Sequence, residues 1–260
     1  IVTDRGLAKL PPVVMIRSLL EDAGLHVSVF DGVVGNPMKQ QVGAGVESFR
    51  AHGEDCIVAI GGGAPVDVAK VIALMVEHPG DLFDYEDGMP DARSVDKPIP
   101  YLVAVPTTAG TGSEVGRSAV VSDDETHIKK IIFSPRILPK HVFADPELTV
   151  ELPAHITAAT GMDALTHLIE AYLAKGFNPM CDGIALEGIR LVAARLQQSV
   201  RFARTRKNVD EFSPEERNAH LGARSAMLNA AIMGAGAFQK GLGVTHSCAH
   251  ALSTVCDLHH

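Results

Sequence analysis

Residues 56–70 read CIVAIGGGAPVDVAK, and this stretch decides the first half of the fold. Cys56–Ile60 is a short apolar run typical of a buried strand, Gly61–Gly63 follows at once, and Ala64 with Pro65 opens a helical pattern. Because no side chains intervene, the backbone amides of such a loop and the N-terminus of the next helix can face an anion. The stretch predicts a phosphate-binding turn, although a plain tight turn from strand to helix has the same pattern.

Outward from this stretch, short apolar runs alternate with helical patterns up to about residue 150. The predicted strands are Ile1–Thr3, His26–Phe30, Cys56–Ile60, Tyr101–Val105 and His141–Ala144. The predicted helices between the first four strands are Val13–Ala23, Lys39–His52 and Pro65–Val76. This alternation implies a parallel sheet covered by helices, in an α/β Rossmann-like fold. A second loop rich in Gly and Thr, at residues 107–113, follows a strand in the same way and favours a dinucleotide site.

Beyond residue 150 almost the whole sequence has helical periodicity. The predicted helices are Ala154–Ala174, Pro179–Arg204, Pro214–Gln239 and Val244–Val255. Ser213 before Pro214, with Glu216 three residues after the serine, predicts a capping box at the start of the third of these helices. We therefore predict two domains, an α/β nucleotide-binding domain at residues 1–150 and an all-α domain at residues 151–260.

The helical half carries a carboxylate and several imidazoles at the spacing of metal ligands. Asp163 and His167 lie one helical turn apart and can reach a single ion, and His246 and His250 repeat that spacing. Such mixed ligation suits iron, zinc, cobalt or nickel and does not choose among them. An Asp–His pair on a helix is often only a surface pair, but apolar neighbours such as Leu168 favour a buried site, where a carboxylate needs a cationic partner.

Composition and charge limit the classes of partner. The 260-residue chain has a formal net charge of −8 and no concentrated stripe of Lys and Arg, which argues against a nucleic-acid partner. No apolar run approaches membrane-spanning length and no signal peptide precedes Ile1, so we expect no membrane partner and a cytoplasmic protein. An exposed sheet edge near residue 1 would favour a homodimer.

Several motifs resemble those of one known family. Residues 158–172, AATGMDALTHLIEAY, are similar to the signature segment of the iron-containing, or group III, alcohol dehydrogenases, and Gly241–His246 resembles their second signature. The resemblance extends over essentially the whole chain, including residues 1–4, 31–37, 61–70 and 106–115. It implies an NAD-binding α/β domain joined to an all-α metal-binding domain, in the architecture of dehydroquinate synthase. Compared with family members, the chain is expected to be truncated at both ends.

The resemblance also implies roles for individual residues at a metal site. The four ligands, to Fe²⁺ or alternatively Zn²⁺, would be Asp163, His167, His246 and His260. His259 competes with His260 for the fourth position, and two histidines at a chain end are also typical of a purification tag. His250 would stand near the metal and the nicotinamide without ligating, and is our candidate for a proton relay.

The NAD contacts that the resemblance implies lie mostly in the first domain. They are Asp4, Asn36, Gly62, Gly63, Ala64, Thr107, Thr108, Thr111 and Lys129. A carboxylate at a strand end can accept hydrogen bonds from both ribose hydroxyls and repels a 2′-phosphate, so Asp4 favours NAD over NADP, although it could instead cap the next segment.

The implied activity is metal-dependent hydride transfer between NAD and an alcohol, or the corresponding aldehyde or ketone. Three alternatives stay open. A non-haem iron oxygenase also uses two histidines and one carboxylate, although it needs no glycine loops and usually has an all-β scaffold. The others are an NAD- and metal-dependent lyase or synthase of related fold, and a binding module or inactive fragment that retains nucleotide affinity. The sequence does not decide which small alcohol or carbonyl compound is the substrate.

Overall fold

The structure is a computed structural model that describes residues 1–205, 207 and 209–256. The chain divides into two compact units. The first comprises Ile1–Val105 and Gly116–Phe143 with residues 250–256, and the second comprises Pro106–Val115 and Ala144–Ala249. Among the described residues, no helix combines the length and the hydropathy needed to span a lipid bilayer.

Seven strands and three complete α-helices lie in the described part of the first unit. The strands are β1 (Val2–Asp4), β2 (Phe30–Val33), β3 (Cys56–Gly61), β4 (Tyr101–Pro106), β5 (Ser118–Ser122), β6 (Lys129–Phe133) and β7 (His141–Val142). The helices are α1 (Pro11–Asp22), α2 (Lys39–His52) and α3 (Gly63–Glu77). Five strands form a sheet in the order β2-β1-β3-β4-β7, in which β1 is parallel to β2 and β3, and β4 is parallel to β7. The predicted α/β fold with a parallel sheet is confirmed.

Helix α3 is the centre of the first unit. Its residues Val66, Val68, Ala69, Val71, Ile72, Ala73 and Leu74 are each at most 1% exposed. A helix whose buried apolar residues lie on all sides has to be covered on all sides. Strands β1 and β3 contact α3, and so does β5. Burial of each large aliphatic side chain contributes about 2 kcal/mol, so this helix holds the sheet and β5 together.

Strands β5 and β6 form an antiparallel hairpin that the sequence patterns did not predict. The hairpin pairs Ser118 with Phe133 at its open end. It is joined to α3 by polar contacts, because Lys70 Nζ donates to the Ser118 carbonyl at 2.7 Å and Asp67 accepts from the Val120 amide at 3.0 Å. Lys70 is fully buried, so its ammonium depends on these oxygen atoms.

The sheet order corrects two predictions. Strand β1 lies between β2 and β3, so the predicted exposed edge near residue 1 is absent, and the edges of this sheet are β2 and β7. The second strand was predicted at His26–Phe30, but β2 begins at Phe30. The residues of β2 that pair with β1 are Phe30, opposite Val2, and Val33, opposite Asp4. The homo-oligomer stays a prediction without the support of that edge.

The second unit is helical, as the periodicity predicted. Its helices are α4 (Ala154–Leu173), α5 (Pro179–Arg204), α6 (Pro214–Ala237) and the first residues of α7 (Val244–Cys256). Helices α4, α5 and α6 pack on one another around Leu168, Val192 and Met227, which are at most 2% exposed. The predicted capping box is present, with the Ser213 hydroxyl accepting the Glu216 amide and the Glu216 carboxylate accepting the Ser213 amide.

A buried arginine joins α6 to the start of α4. Arg224 donates to the Thr157 hydroxyl at 2.9 Å, and to the carbonyls of Val150 and Leu152 at 3.3 Å each. It also donates from Nε to Nε2 of His220 at 3.3 Å. Burial lowers the pKa of Arg224 to about 10, so the guanidinium stays protonated at neutral pH. Burial, and then the charge of Arg224, lowers the pKa of His220 to about 4.

We predict that His220 makes the fold sensitive to acid. As the pH falls from 6.5 to about 4, His220 takes up a proton in the unfolded chain but stays neutral in the folded chain. The stability that the neutral His220 contributes is therefore fully present above pH 6.5 and decreases as the pH falls through this range. The loss amounts to at most about 3 kcal/mol at pH 4. In urea denaturation, His220→Gln should reduce the difference in unfolding free energy between pH 7 and pH 4 by an amount of that order. An unchanged difference would contradict the buried neutral histidine.

Candidate metal centre

Three of the four predicted metal ligands come together in the second unit. Asp163 and His167 lie one turn apart on α4, and His246 lies in the first turn of α7. Asp163 Oδ1 is 3.7 Å from His167 Nδ1 and 3.6 Å from His246 Nε2. One donor atom from each residue lies within 4.8 Å of the other two. The spacing predicted that Asp163 and His167 share a face, and the fold adds His246 from a segment almost eighty residues later.

The cluster is largely closed to solvent. His167 and His246 are 5% and 6% exposed, and the side chain of Asp163 is 14% exposed. The two imidazole rings stack with their centroids 4.3 Å apart, and the ring of Phe238 packs on His167 at 4.9 Å. Charges are poorly solvated in such surroundings, so a carboxylate here is stabilised by a nearby cation.

A second carboxylate, Glu170, lies on α4 beyond His167, and the sequence reasoning did not identify it as a site residue. Its Oε2 accepts a hydrogen bond from Nδ1 of His246 at 2.6 Å and one from the Gly243 amide at 2.9 Å. Its Oε1 accepts from the Thr245 amide at 2.6 Å. Glu170 is 7% exposed, and these three donors compensate for the lost hydration of its carboxylate.

These contacts shift two pKa values. Burial raises the pKa of Glu170, but the hydrogen bonds from Gly243, His246 and Thr245 lower it by more, to about 2. Burial lowers the pKa of His246, but the carboxylates of Asp163 and Glu170 raise it by more, so the net shift is upward. Without a cation, the cluster therefore favours a proton on His246.

The donor set fits a divalent transition metal. One carboxylate and two imidazoles, from two separate helices, are ligand types that iron and zinc share. The bond to Glu170 occupies Nδ1 of His246 and leaves Nε2 on the side of Asp163. A bound cation would compensate the charge of both carboxylates and replace the proton that they attract to His246. Asp163, His167 and His246 are thus suited to hold the metal.

The remaining predicted residues of this site are not brought into the cluster by the described structure. The predicted fourth ligand, His260, and its competitor His259 lie outside the described residues. His250 lies one turn after His246 on α7 and is half-buried. Its role as a proton relay stays a prediction.

In the first unit, several predicted NAD residues gather at the carboxyl ends of neighbouring strands. Asp4 ends β1, Asn36 follows β2, and Gly61–Gly63 connect β3 to α3. The chain passes from β1 to β2 on one side and then from β2 to β3 on the other side of β1, so the strand order reverses here. Parallel sheets bind nucleotides at such a switch point.

The glycine turn and Asp4 are close together. Gly61 has φ 148°, a value that favours glycine, and a Cβ at this position would lie 2.7 Å from Cγ of Pro65. That same Cβ would lie 3.6 Å from Oδ2 of Asp4. Asp4 Oδ1 accepts the amide of Leu7 at 2.9 Å, so the capping role considered for this carboxylate is present. Its second oxygen faces the glycine turn.

Helix α3 begins two residues earlier than predicted. It starts at Gly63, with Gly62 as N-cap and no side-chain capping bond, and Pro65 stands within the first turn, where proline is tolerated. The helix N-terminus is therefore formed by Gly62, Gly63 and Ala64. Two of these residues have no side chain and the third has only a methyl group, so the backbone stays accessible. This geometry suits an anion such as a phosphate group.

The other predicted NAD residues are divided between the units. Thr107, Thr108 and Thr111 lie in the second unit, in the loop after β4, and the Thr111 hydroxyl accepts the Ser113 amide at 3.2 Å. Lys129 begins β6 in the first unit. Burial lowers the pKa of its ammonium, and the nearby Asp67 raises it by less. Contacts of these residues with NAD stay predictions.

Comparison with known families identifies the chain. The sequence model of the iron-containing alcohol dehydrogenases matches residues 1–146, which is more than half of the chain. The chain belongs to the iron-containing alcohol dehydrogenase family. The model of the C-terminal part of the Fe-containing alcohol dehydrogenase family matches residues 157–260. The resemblance stated from the sequence motifs is confirmed.

Relatives within the iron-containing alcohol dehydrogenase family are longer than this chain. A 1,3-propanediol dehydrogenase from Klebsiella pneumoniae is 40% identical over 100% of the chain and 63% of its own length. A 4-hydroxybutyrate dehydrogenase from Cupriavidus necator is 43% identical over 97% of the chain and 61% of its own length. The chain thus spans less than two thirds of these relatives.

Solved structures give the same result for the fold. A crystal structure of a 1,3-propanediol oxidoreductase has a TM-score of 0.88 and 41% identity, over 99% of this chain and 63% of that one. A sulfoacetaldehyde reductase from Bifidobacterium kashiwanohense, in complex with NAD⁺, has a TM-score of 0.81 and 29% identity, over 100% of this chain and 64% of that one.

We predict that Asp163 raises the pKa of His246 in metal-free protein. In the parent chain His246 should titrate above 6.5, and Asp163→Asn should lower its pKa because one of the two facing carboxylates is lost. The measurement is a pH titration of the histidine ring signals by NMR. Glu187→Gln, an exposed position on α5, is the control and should leave the His246 titration as it is. A parent pKa below 6.5, or the same pKa in Asp163→Asn, would contradict the described charge environment.

Proposed function

We propose that the protein is a metal-dependent oxidoreductase that transfers a hydride between NAD and an alcohol, or the corresponding aldehyde or ketone. The observation that carries the proposal is the convergence of Asp163, His167 and His246 from two helices on one buried point. Membership of the iron-containing alcohol dehydrogenase family supports it.

Asp163, His167 and His246 hold Fe²⁺, or alternatively Zn²⁺, in this proposal. A divalent metal in such a site supplies a Lewis acid for the oxygen of the substrate. The residues of the chain orient the site and exclude water. Phe238 and the stacked imidazoles close one side of it, which keeps the local dielectric low and strengthens each electrostatic contact.

NAD binds to the first unit at the carboxyl ends of β1, β2 and β3. The amides of Gly62, Gly63 and Ala64 face the pyrophosphate, and the second oxygen of Asp4 accepts from the adenosine ribose. Asn36 lies at the same edge of the sheet. The NAD⁺ complex of the sulfoacetaldehyde reductase, which has the same fold, supports this choice of cofactor.

The overall reaction balances without a further redox partner. The alcohol carbon gives a hydride to NAD⁺, the hydroxyl gives a proton to solvent, and the products are NADH and the carbonyl compound. His250 is the proposed relay for the proton, since it is half-buried and lies one turn along α7 from His246. In the reverse direction the same groups reduce an aldehyde or ketone.

The substrates are short primary alcohols in this proposal. The names of relatives support this class, because they include a 1,3-propanediol dehydrogenase, a 4-hydroxybutyrate dehydrogenase and an NAD-dependent methanol dehydrogenase. A homo-oligomer and a cytoplasmic location are further expectations that stay predictions.

We predict that Asp163→Ala and His246→Ala each abolish NAD-linked alcohol oxidation and deplete the bound metal, because each removes one ligand from the cluster. NAD affinity should stay near that of the parent chain, since the glycine turn proposed to bind the NAD phosphates lies in the other unit. The measurements are metal content by mass spectrometry, NADH formation with a panel of short alcohols, and NAD binding by calorimetry.

The matched control is His155→Ala, an exposed histidine on α4 away from the cluster, which should keep both metal and turnover. Full activity of Asp163→Ala or His246→Ala after chelation would contradict the proposal. If the parent chain binds metal and NAD but no alcohol reduces NAD⁺, the lyase or the inactive fragment becomes the better account.

A further inference from the structure

We infer that Glu170 is a positioning residue of the metal centre, which fixes the tautomer of His246 and ties the start of α7 to α4. The inference rests on the proposed function, because it concerns a proposed metal ligand. Glu170 itself is outside the set of proposed ligands, and it bonds directly to one of them, His246.

The bond to Glu170 fixes the position of a hydrogen on His246. An ionised carboxylate has no hydrogen to donate, so the 2.6 Å contact between Glu170 Oε2 and His246 Nδ1 requires the hydrogen on Nδ1. In the neutral imidazole the lone pair then lies on Nε2. That nitrogen is the one on the side of Asp163, at 3.6 Å from its Oδ1. Glu170 therefore selects the tautomer in which His246 can ligate.

Glu170 also fixes the position of the start of α7. Glu170 also accepts the amides of Gly243 and Thr245, which belong to the N-terminus of α7. A carboxylate at this end of a helix interacts favourably with the helix dipole. Both amides precede His246 in sequence, so a single carboxylate orients the helix start and the side chain of His246.

Gly243 makes the close approach possible. A Cβ at this position would lie 2.9 Å from Oε1 of Glu170 and 3.1 Å from its Cδ, closer than the packed atoms allow. The hydrogen bonds that Glu170 accepts from Gly243, Thr245 and His246 all come from one short segment, so the carboxylate is matched to this part of the chain.

Glu170→Gln separates positioning from packing, because the amide has the shape of the carboxylate but carries hydrogens on one side. If its NH₂ group faces His246, Nδ1 must accept and the hydrogen moves to Nε2, which then cannot ligate. If the NH₂ group faces Thr245, the amide of that residue loses its acceptor. Neither orientation reproduces the three bonds of the carboxylate.

The test compares the full parent chain, Glu170→Gln and the control Glu187→Gln. Zn²⁺ affinity is measured by competition with a chelator, and the His246 tautomer of the metal-free protein by ¹⁵N NMR at alkaline pH. We expect Glu170→Gln to bind Zn²⁺ about 10- to 100-fold more weakly, as for other groups that orient a metal-binding histidine. We also expect the hydrogen of His246 on Nδ1 in the parent and control, and a shift of the population towards Nε2–H in Glu170→Gln.

The outcomes separate the inference from the proposed function. If neither the parent nor the control binds Zn²⁺ at this site, the proposed function fails. If the parent binds but Glu170→Gln binds equally well, the positioning role is overturned and the proposed function stands. If Glu170→Gln binds weakly with an unchanged tautomer, the role in fixing the tautomer is overturned and the role in holding the start of α7 stands.

Gly243→Ala provides a second variant in case Glu170→Gln does not fold. Its added methyl group pushes on the carboxylate without removing any charge, and we expect weaker Zn²⁺ binding than in the parent. Parent-like affinity in Gly243→Ala, with the hydrogen of His246 shifted to Nε2, would also overturn the inference.

Discussion

The hydrogen bond from His246 to Glu170 is the contact on which the metal centre depends. Helix α4 supplies Asp163, His167 and Glu170 from one face, but helix α7 supplies a single ligand to the described cluster, and its position is set by the segment that Glu170 holds. Because Glu170 bonds to Nδ1, the second nitrogen of His246 points towards Asp163. The carboxylate thus organises ligand geometry from outside the proposed set of ligands. At many metal sites, residues that hydrogen-bond to the ligands in this way fix the tautomer and the orientation of each ligating histidine.

Charge explains why this arrangement prefers a cation. Two carboxylates lie beside two imidazoles in a region with little access to water, and they raise the pKa of His246 despite its burial. The carboxylates thus favour a positive charge between them, and a divalent ion would balance them more fully than a proton. The first unit, in contrast, is suited to bind an anion, at its glycine turn and helix N-terminus. Asp4, as the proposed ribose contact, would favour neutral hydroxyl groups over a further phosphate. The two units therefore suit the two cofactors of the proposed reaction.

Local patterns predicted the features that depend on residues close in sequence. Helical periodicity and capping residues predicted the limits of α2 and α5, and the structure has the same limits. They also predicted that Asp163 and His167 share one helix face, as they do on α4. The β5–β6 hairpin was missed because its docking depends on Lys70, which bonds to Ser118 across 48 residues. The role of Glu170 was missed for the same reason, since its donors are 73 to 76 residues away. The local sequence did contain an indication of this role. Glu170 lies seven residues after Asp163, so it shares the helix face of Asp163 and His167 in an otherwise apolar helix.

The most direct test of the metal centre is anomalous diffraction from crystals of this chain grown with Zn²⁺, recorded on both sides of the zinc absorption edge. We predict one strong peak, about 2.0–2.2 Å from an oxygen of Asp163 and from one nitrogen each of His167 and His246. Glu170 should stay on Nδ1 of His246 in that structure. A peak elsewhere on the chain, or no peak between these three side chains at saturating zinc, would contradict the account.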